Sequence, residues 1–195
     1  ATRFADAVTD DSRLVMRVLQ EAEKDGAVLL NYATAKDVIK NNDHIGALTV
    51  ELEGFSEAIT IESKIIVSAT GAWADKFRED LGGKAKIRPL RGSHIVLPSW
   101  RLPLFQSITM KHPGDNRSMF VYPWEGMTVI GTTDLDNPKM TKSEPVIEQH
   151  EVDYLMLAVN HMFRSAKITQ DDVISTFAGV RPIVSSGGVN PSSEK

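Results

Sequence analysis

Leu14, Val15, Val18, Leu19 and Ala22 recur at the spacing of an amphipathic helix, with Asp10 and Asp11 available as N-caps and Gly26 as a stop. The pattern predicts a helix over residues 12–24. The period then shortens. Residues 27–32 form an apolar run of strand length, and residues 37–39, 47–52, 58–61 and 64–69 alternate around the turn signals Asn41-Asn42-Asp43 and Gly54. Thr70-Gly71 closes the last of these strands; residues 72–81 resume helical spacing until Gly82-Gly83 ends it. Residues 87–97, 106–111, 118–122 and 128–132 read as strands again, divided by Pro98, Pro103, Pro113-Gly114-Asp115-Asn116 and Glu125-Gly126. Their spacing predicts an antiparallel sheet. Val152, Leu155, Met156, Val159 and Met162 mark one side of a helix over residues 143–163, and residues 171–178 form a last strand that delivers Gly179-Val180-Arg181-Pro182.

Composition narrows the class. The chain has 195 residues, 42% of them hydrophobic, enough to bury a core, with a tail from residue 183 too poor in apolar residues to fold alone. Its net charge of -4 supplies no field for nucleic acid, so a small anionic substrate needs a local basic pocket. Cysteine is absent, which excludes a disulfide framework and a thiolate metal site, and no His/Glu spacing for a metal is present. No apolar run approaches the roughly 20 residues of a spanning helix, so any membrane contact is peripheral and the expected location is cytoplasmic. Ala1 to Thr9 has neither an initiator Met nor signal-peptide character, and reads as the start of an internal fragment.

Four constellations could carry chemistry. Ser68-Ala69-Thr70-Gly71-Ala72-Trp73 lies where a strand turns into a helix, an edge at which backbone N–H groups converge on ligands; the glycine could equally serve the turn alone. Arg88-Pro89-Leu90-Arg91-Gly92-Ser93-His94 runs into a strand, with Arg91 and His94 expected on one pocket wall and the imidazole able to take a hydroxyl proton. His44, His112, His150 and His161 read as surface or core residues. Gly131-Thr132-Thr133-Asp134 clusters hydroxyls and amides at a strand end, and is also a plain turn and cap. In Gly179-Val180-Arg181-Pro182 the arginine offers a rigid fork for phosphate or carboxylate, against the alternative of a surface ion pair. The sequon Asn116-Arg117-Ser118 reads as chance.

In their order these motifs, together with Asp11-Ser12-Arg13-Leu14 and Val121-Tyr122-Pro123-Trp124, closely resemble the aerobic FAD-dependent glycerol-3-phosphate dehydrogenases, of the D-amino-acid-oxidase-like flavoprotein superfamily. The resemblance spans nearly the whole chain. It implies a mixed α/β (α+β) chain: part of a Rossmann-like FAD-binding domain over residues 1–85, and a substrate domain with an antiparallel sheet flanked by helices over residues 86–182. FAD is the implied cofactor, with Ala33 near its adenine end and Ala69, Thr70, Gly71 and Trp73 along a second edge. Arg91, His94, Thr132 and Arg181 are implied to face sn-glycerol 3-phosphate, His94 as base and Arg181 on an anionic oxygen.

The resemblance further implies oxidation to dihydroxyacetone phosphate with quinone as electron acceptor, peripheral association with the cytoplasmic face of a membrane, and room for a homodimer. A glycerol-3-phosphate oxidase or another oxidase of the superfamily is the near alternative, and a non-catalytic ligand-binding module the distant one. The family's glycine-rich FAD fingerprint is missing from these residues, and so is its C-terminal Gly-Gly-Lys stretch, since Gly82-Gly83-Lys84 lies mid-chain after a helix; the chain by itself is expected to be inactive and to hold FAD weakly or not at all.

Overall fold

A computed structural model of the chain describes residues 3, 5–41, 44–137 and 144–185. The chain divides into two compact units, Ala1–Val67 and Ser68–Lys195.

In the first unit, helix α1 (Asp11–Lys24) starts where the Asp10 carboxylate accepts the Arg13 amide, satisfying one N–H that the first turn leaves open. Strands β1 (Ala33–Asn41), β2 (His44–Leu52) and β3 (Ile59–Glu62) form an antiparallel meander in the order β1-β2-β3. The expected strand over residues 37–39 is thus the middle of a longer one, and the turn at Asn42-Asp43 lies outside the described residues. Residues 27–32 and 64–69 are not strands. Their apolar runs are those of strands buried on both faces, yet neither finds a ladder partner among the described residues. Val28, Ile65 and Val67 accordingly stand 84%, 78% and 81% exposed.

In the second unit, a 3-10 turn (Gly71–Trp73) leads into α2 (Ala74–Asp80). The Asp75 carboxylate accepts the amides of Lys86 and Ile87, tying α2 to the start of the long strand β4 (Ile87–Pro98). The resemblance implies a boundary at residue 85; the compact units part after Val67, and this bond is one reason residues 68–85 lie with the sheet. Strands β5 (Ile108–Lys111), β6 (Ser118–Trp124), β7 (Met127–Gly131) and β8 (Leu135–Asp136) join β4 in the order β5-β6-β7-β4-β8, and β9 (Ser175–Val184) also pairs with β4. All pairings are antiparallel. The last strand begins later than expected because Gln170–Asp172 is a 3-10 turn, its Asp172 held by Arg101 in a two-pronged ion pair. It also runs on through Ile183 and Val184, beyond the expected start of the tail, which from residue 186 lies outside the described residues.

Helix α3 (Gln149–Met162) packs on one face of this sheet. It begins six residues later than the spacing implies. Pro145 disfavours helical geometry before it, and Glu148 is extended, with its amide donating to the Glu151 carboxylate. Leu155, Met156, Ala158 and Val159 meet Ile95, Leu97, Met119, Val121 and Ile130 in a dry core. The opposite face is left to other work.

Candidate functional site

Side chains directly opposite one another in antiparallel strands share a face, so register decides which distant residues meet. Across β6, β7, β4 and β9 one row reads Phe120, Gly131, His94, Phe177. The next pairs along β4 and β9 are Gly92 with Gly179 and Leu90 with Arg181. This row and its neighbours lie away from α3.

His94 stacks on Phe177, ring centroids 4.4 Å apart and planes within 8° of parallel. On its other flank the ring occupies the space above Gly131, where a Cβ would come within 2.0 Å of Cδ2. Gly92 performs the same service for Arg181: a Cβ there would meet the guanidinium at 2.3 Å. Arg181 therefore folds back along the strand over Gly92, toward His94. Its Nη2 donates to the Thr132 hydroxyl at 3.2 Å, and its Nη1 lies 3.5 Å from the buried carboxylate of Asp134. Asp134 is also gripped by Arg117, which donates to its carboxylate and to its carbonyl at 3.0 Å.

The electrostatics follow from this packing. Burial lowers the pKa of His94 from 6.5 to about 4, and the nearby Arg181 charge adds to the effect. The imidazole is neutral at physiological pH, and its buried Nδ1 has no hydrogen-bond partner in the structure. A neutral ring, a guanidinium and a hydroxyl converge on one open face between the half-exposed Phe120 and Phe177. Such a set can hold an anionic oxygen on the arginine and exchange a proton at a neighbouring hydroxyl on the imidazole.

The structure brings His94, Thr132 and Arg181 together and does not bring Arg91 to them. Arg91 and His94 are three positions apart on a strand, an odd separation that places them on opposite faces of the pleat. Arg91 turns to α3, where Nη2 reaches Glu148 at 2.7 Å and Glu151 at 3.0 Å. The expectation of one shared pocket wall is corrected on that ground. Phe177 and Arg117 enter the site without having been singled out for it, and Asp134 was named only as the end of the Gly131-Thr132-Thr133-Asp134 cluster. The Asn116-Arg117-Ser118 stretch did stand out, but as a sequon rather than for its guanidinium.

Of the residues expected along FAD, Ala69, Thr70, Gly71 and Trp73 belong to the second unit. The 3-10 turn Gly71–Trp73 lies next to β9, the strand of Arg181. Gly71 has φ 56°, and the space a Cβ would take is open; Trp73 is exposed, and Ser68 and Thr70 hydroxyls lie 3.2 Å apart at the surface. The turn is uncovered, with hydroxyls, amides and an aromatic edge that could receive a ligand. Ala33 opens β1 in the first unit, opposite Leu52.

Residues 1–192 match the family of FAD dependent oxidoreductases. The aerobic glycerol-3-phosphate dehydrogenase of Staphylococcus aureus strain MRSA252 is 35% identical over 189 residues, which are 94% of this chain and 33% of that protein. The chain thus spans about a third of the length of the curated relatives it matches. The glycerol-3-phosphate dehydrogenase from Bacillus halodurans, solved in complex with FAD, superposes with a TM-score of 0.86 at 35% identity, covering 91% of this chain and 36% of that one. The L-proline dehydrogenase from P. horikoshii shares the fold at a TM-score of 0.64 and 18% identity, over 93% of this chain and 45% of its own. With the model of the family matching almost end to end, the chain belongs to the FAD dependent oxidoreductases.

Proposed function

We propose that the chain is the central part of an FAD-dependent sn-glycerol-3-phosphate dehydrogenase. The observation that carries the reading is the meeting of Arg181, Thr132 and His94 on the open face of the sheet, with the turn Gly71–Trp73 lying next to β9, one of its strands. The 35% identity to glycerol-3-phosphate dehydrogenases along nearly the whole chain supports it. Arg181 grips an anionic phosphate oxygen, each charge-assisted bond contributing about 1.5–3 kcal/mol. Thr132 limits the angles that the guanidinium can adopt. His94 accepts the hydroxyl proton as the alcohol is oxidised. FAD, when bound, supplies the acceptor for the hydride that leaves the alcohol carbon. An anion seated on Arg181 offsets the positive charge beside His94, and so makes the ring a better base when substrate is present than when it is absent.

The test is anaerobic addition of glycerol 3-phosphate to the full-length flavoprotein. Loss of the oxidised flavin absorbance is expected, together with a KM raised about a hundredfold in Arg181→Ala. Bleaching by an amino acid or a 2-hydroxy acid and not by glycerol 3-phosphate overturns the substrate, since Arg181 would then serve a carboxylate. We assign quinone as electron acceptor at the cytoplasmic membrane face; reoxidation by oxygen as fast as by a soluble quinone analogue contradicts that.

A further inference from the structure

On the core side of the same sheet, Glu151 of α3 is 1% exposed, a buried carboxylate. Its oxygens are fully occupied. Oε1 accepts both the Ser93 hydroxyl at 2.8 Å and the Thr133 hydroxyl at 2.7 Å, and Oε2 accepts the Glu148 amide at 2.9 Å while facing Arg91 at 3.0 Å. Burial pushes this carboxyl up, but the bonds from Thr133, Glu148 and Ser93 and the charge of Arg91 outweigh it and hold it below the usual range. It is a charge kept in the core by its partners.

Those partners are the neighbours of the site. Strands β7 and β8 both pair with β4, and residues 132–134 bulge away between them, carrying Thr132 and Asp134 toward Arg181. Regular ladder bonds cannot hold a bulge. Thr133 takes over instead: its hydroxyl accepts the Ser93 amide at 2.8 Å, its amide donates to the Ser93 carbonyl at 3.3 Å, and its hydroxyl proton goes to Glu151. Ser93, pinned by the same oxygen, directly precedes His94.

We propose that Glu151 is a positioning residue: from behind the sheet it fixes, through the Thr133 and Ser93 hydroxyls, the bulge and strand that aim Thr132, Asp134 and His94 at the bound anion. Glu151 touches no substrate. The proposal deepens the reading of this face as a glycerol-phosphate site and rests on it.

The experiment uses the full-length flavoprotein with Thr133→Val, Thr133→Ser and Glu151→Gln. Thr133→Val keeps the shape and removes the hydroxyl, so the KM for glycerol 3-phosphate rises about tenfold and kcat falls as His94 loses its aim. Thr133→Ser restores the hydroxyl and the KM. Glu151→Gln raises KM to a similar degree, and the double variant is no worse than the single ones, because the two groups act as one contact. Where Glu151→Gln does not fold, Thr133→Val against Thr133→Ser reads the same contact.

A purely structural role would lower flavin content and melting temperature while leaving the KM of the surviving enzyme unchanged, and that outcome overturns the proposal. If the unmodified protein does not oxidise glycerol 3-phosphate, the functional reading has failed. Amide hydrogen exchange at residues 132–134 then decides the positioning role alone: about tenfold faster exchange in Thr133→Val supports it, and unchanged exchange refutes it.

Discussion

The two faces of strand β4 were built by one stretch of chain under different constraints. Toward α3 it presents Ser93, Ile95 and Leu97, all fully buried, in a surface where every polar atom of Ser93 and Glu151 is matched. Toward the other side it presents Gly92 and His94, neither chosen for packing volume, with an arginine and an imidazole occupying the room that two absent Cβ atoms leave. The first face maximises contact; the second, between the buried Leu90 and Val96, reserves space at Gly92 and His94. A pleat lets both demands be met within two residues, because each position answers to one side only.

The comparison predicts how substitutions on each face differ. Ile95→Ala, in the core, is expected to cost about 2–5 kcal/mol of stability and to leave the KM of the folded fraction alone, measured by chemical unfolding of the full-length protein beside its kinetics. Gly131→Ala is the corresponding change on the open face. The new methyl collides with the His94 ring, which Phe177 prevents from swinging aside, so kcat/KM falls about a hundredfold with only a small loss in melting temperature. A milder case is Gly92→Ala. Only the end of the Arg181 side chain stands in its way, and displacing it should raise KM about tenfold without unfolding the protein. Equal destabilisation by the core and open-face variants would erase the distinction.

The smallest effect is a titration. His94, with its pKa lowered from 6.5 to about 4, binds its proton less readily folded than unfolded. Its contribution to stability is complete above pH 6.5 and is lost as pH falls toward 4. An NMR titration of the ring in the absence of substrate should therefore show a midpoint well below 6, moving upward when an anion occupies Arg181. A midpoint near 6.5 without ligand would show that the ring is neither buried nor close to the guanidinium.

Much of this was legible in the residues themselves. The helix behind Asp10, the turn at Glu125-Gly126 and the strands around them follow from local rules, and α1 formed almost where its spacing placed it although none of its residues is buried. Residues 27–32 and 64–69 show the limit of those rules, since a strand exists only when another strand takes its hydrogen bonds. His94, Thr132 and Arg181 were readable as chemistry-bearing types in suggestive contexts. The parity that sends Arg91 to the far face was also present in the sequence. Glu151 was hidden more deeply, because a glutamate three residues into a helix after an extended residue reads as an ordinary cap.

What the chain determined alone was the kind of piece it would form: amphipathic periods, turn residues and caps act over a few positions and need no distant partner. The tertiary structure decided which of those pieces touch. Phe177 lies under His94, and Glu151 behind Thr133, only through the register of four strands and the seat of one helix, and both are set by the burial of apolar side chains far apart in sequence. Burial of that kind is a property of the assembled sheet, so the surroundings that make His94 a neutral ring and Arg181 an aimed charge exist only after folding.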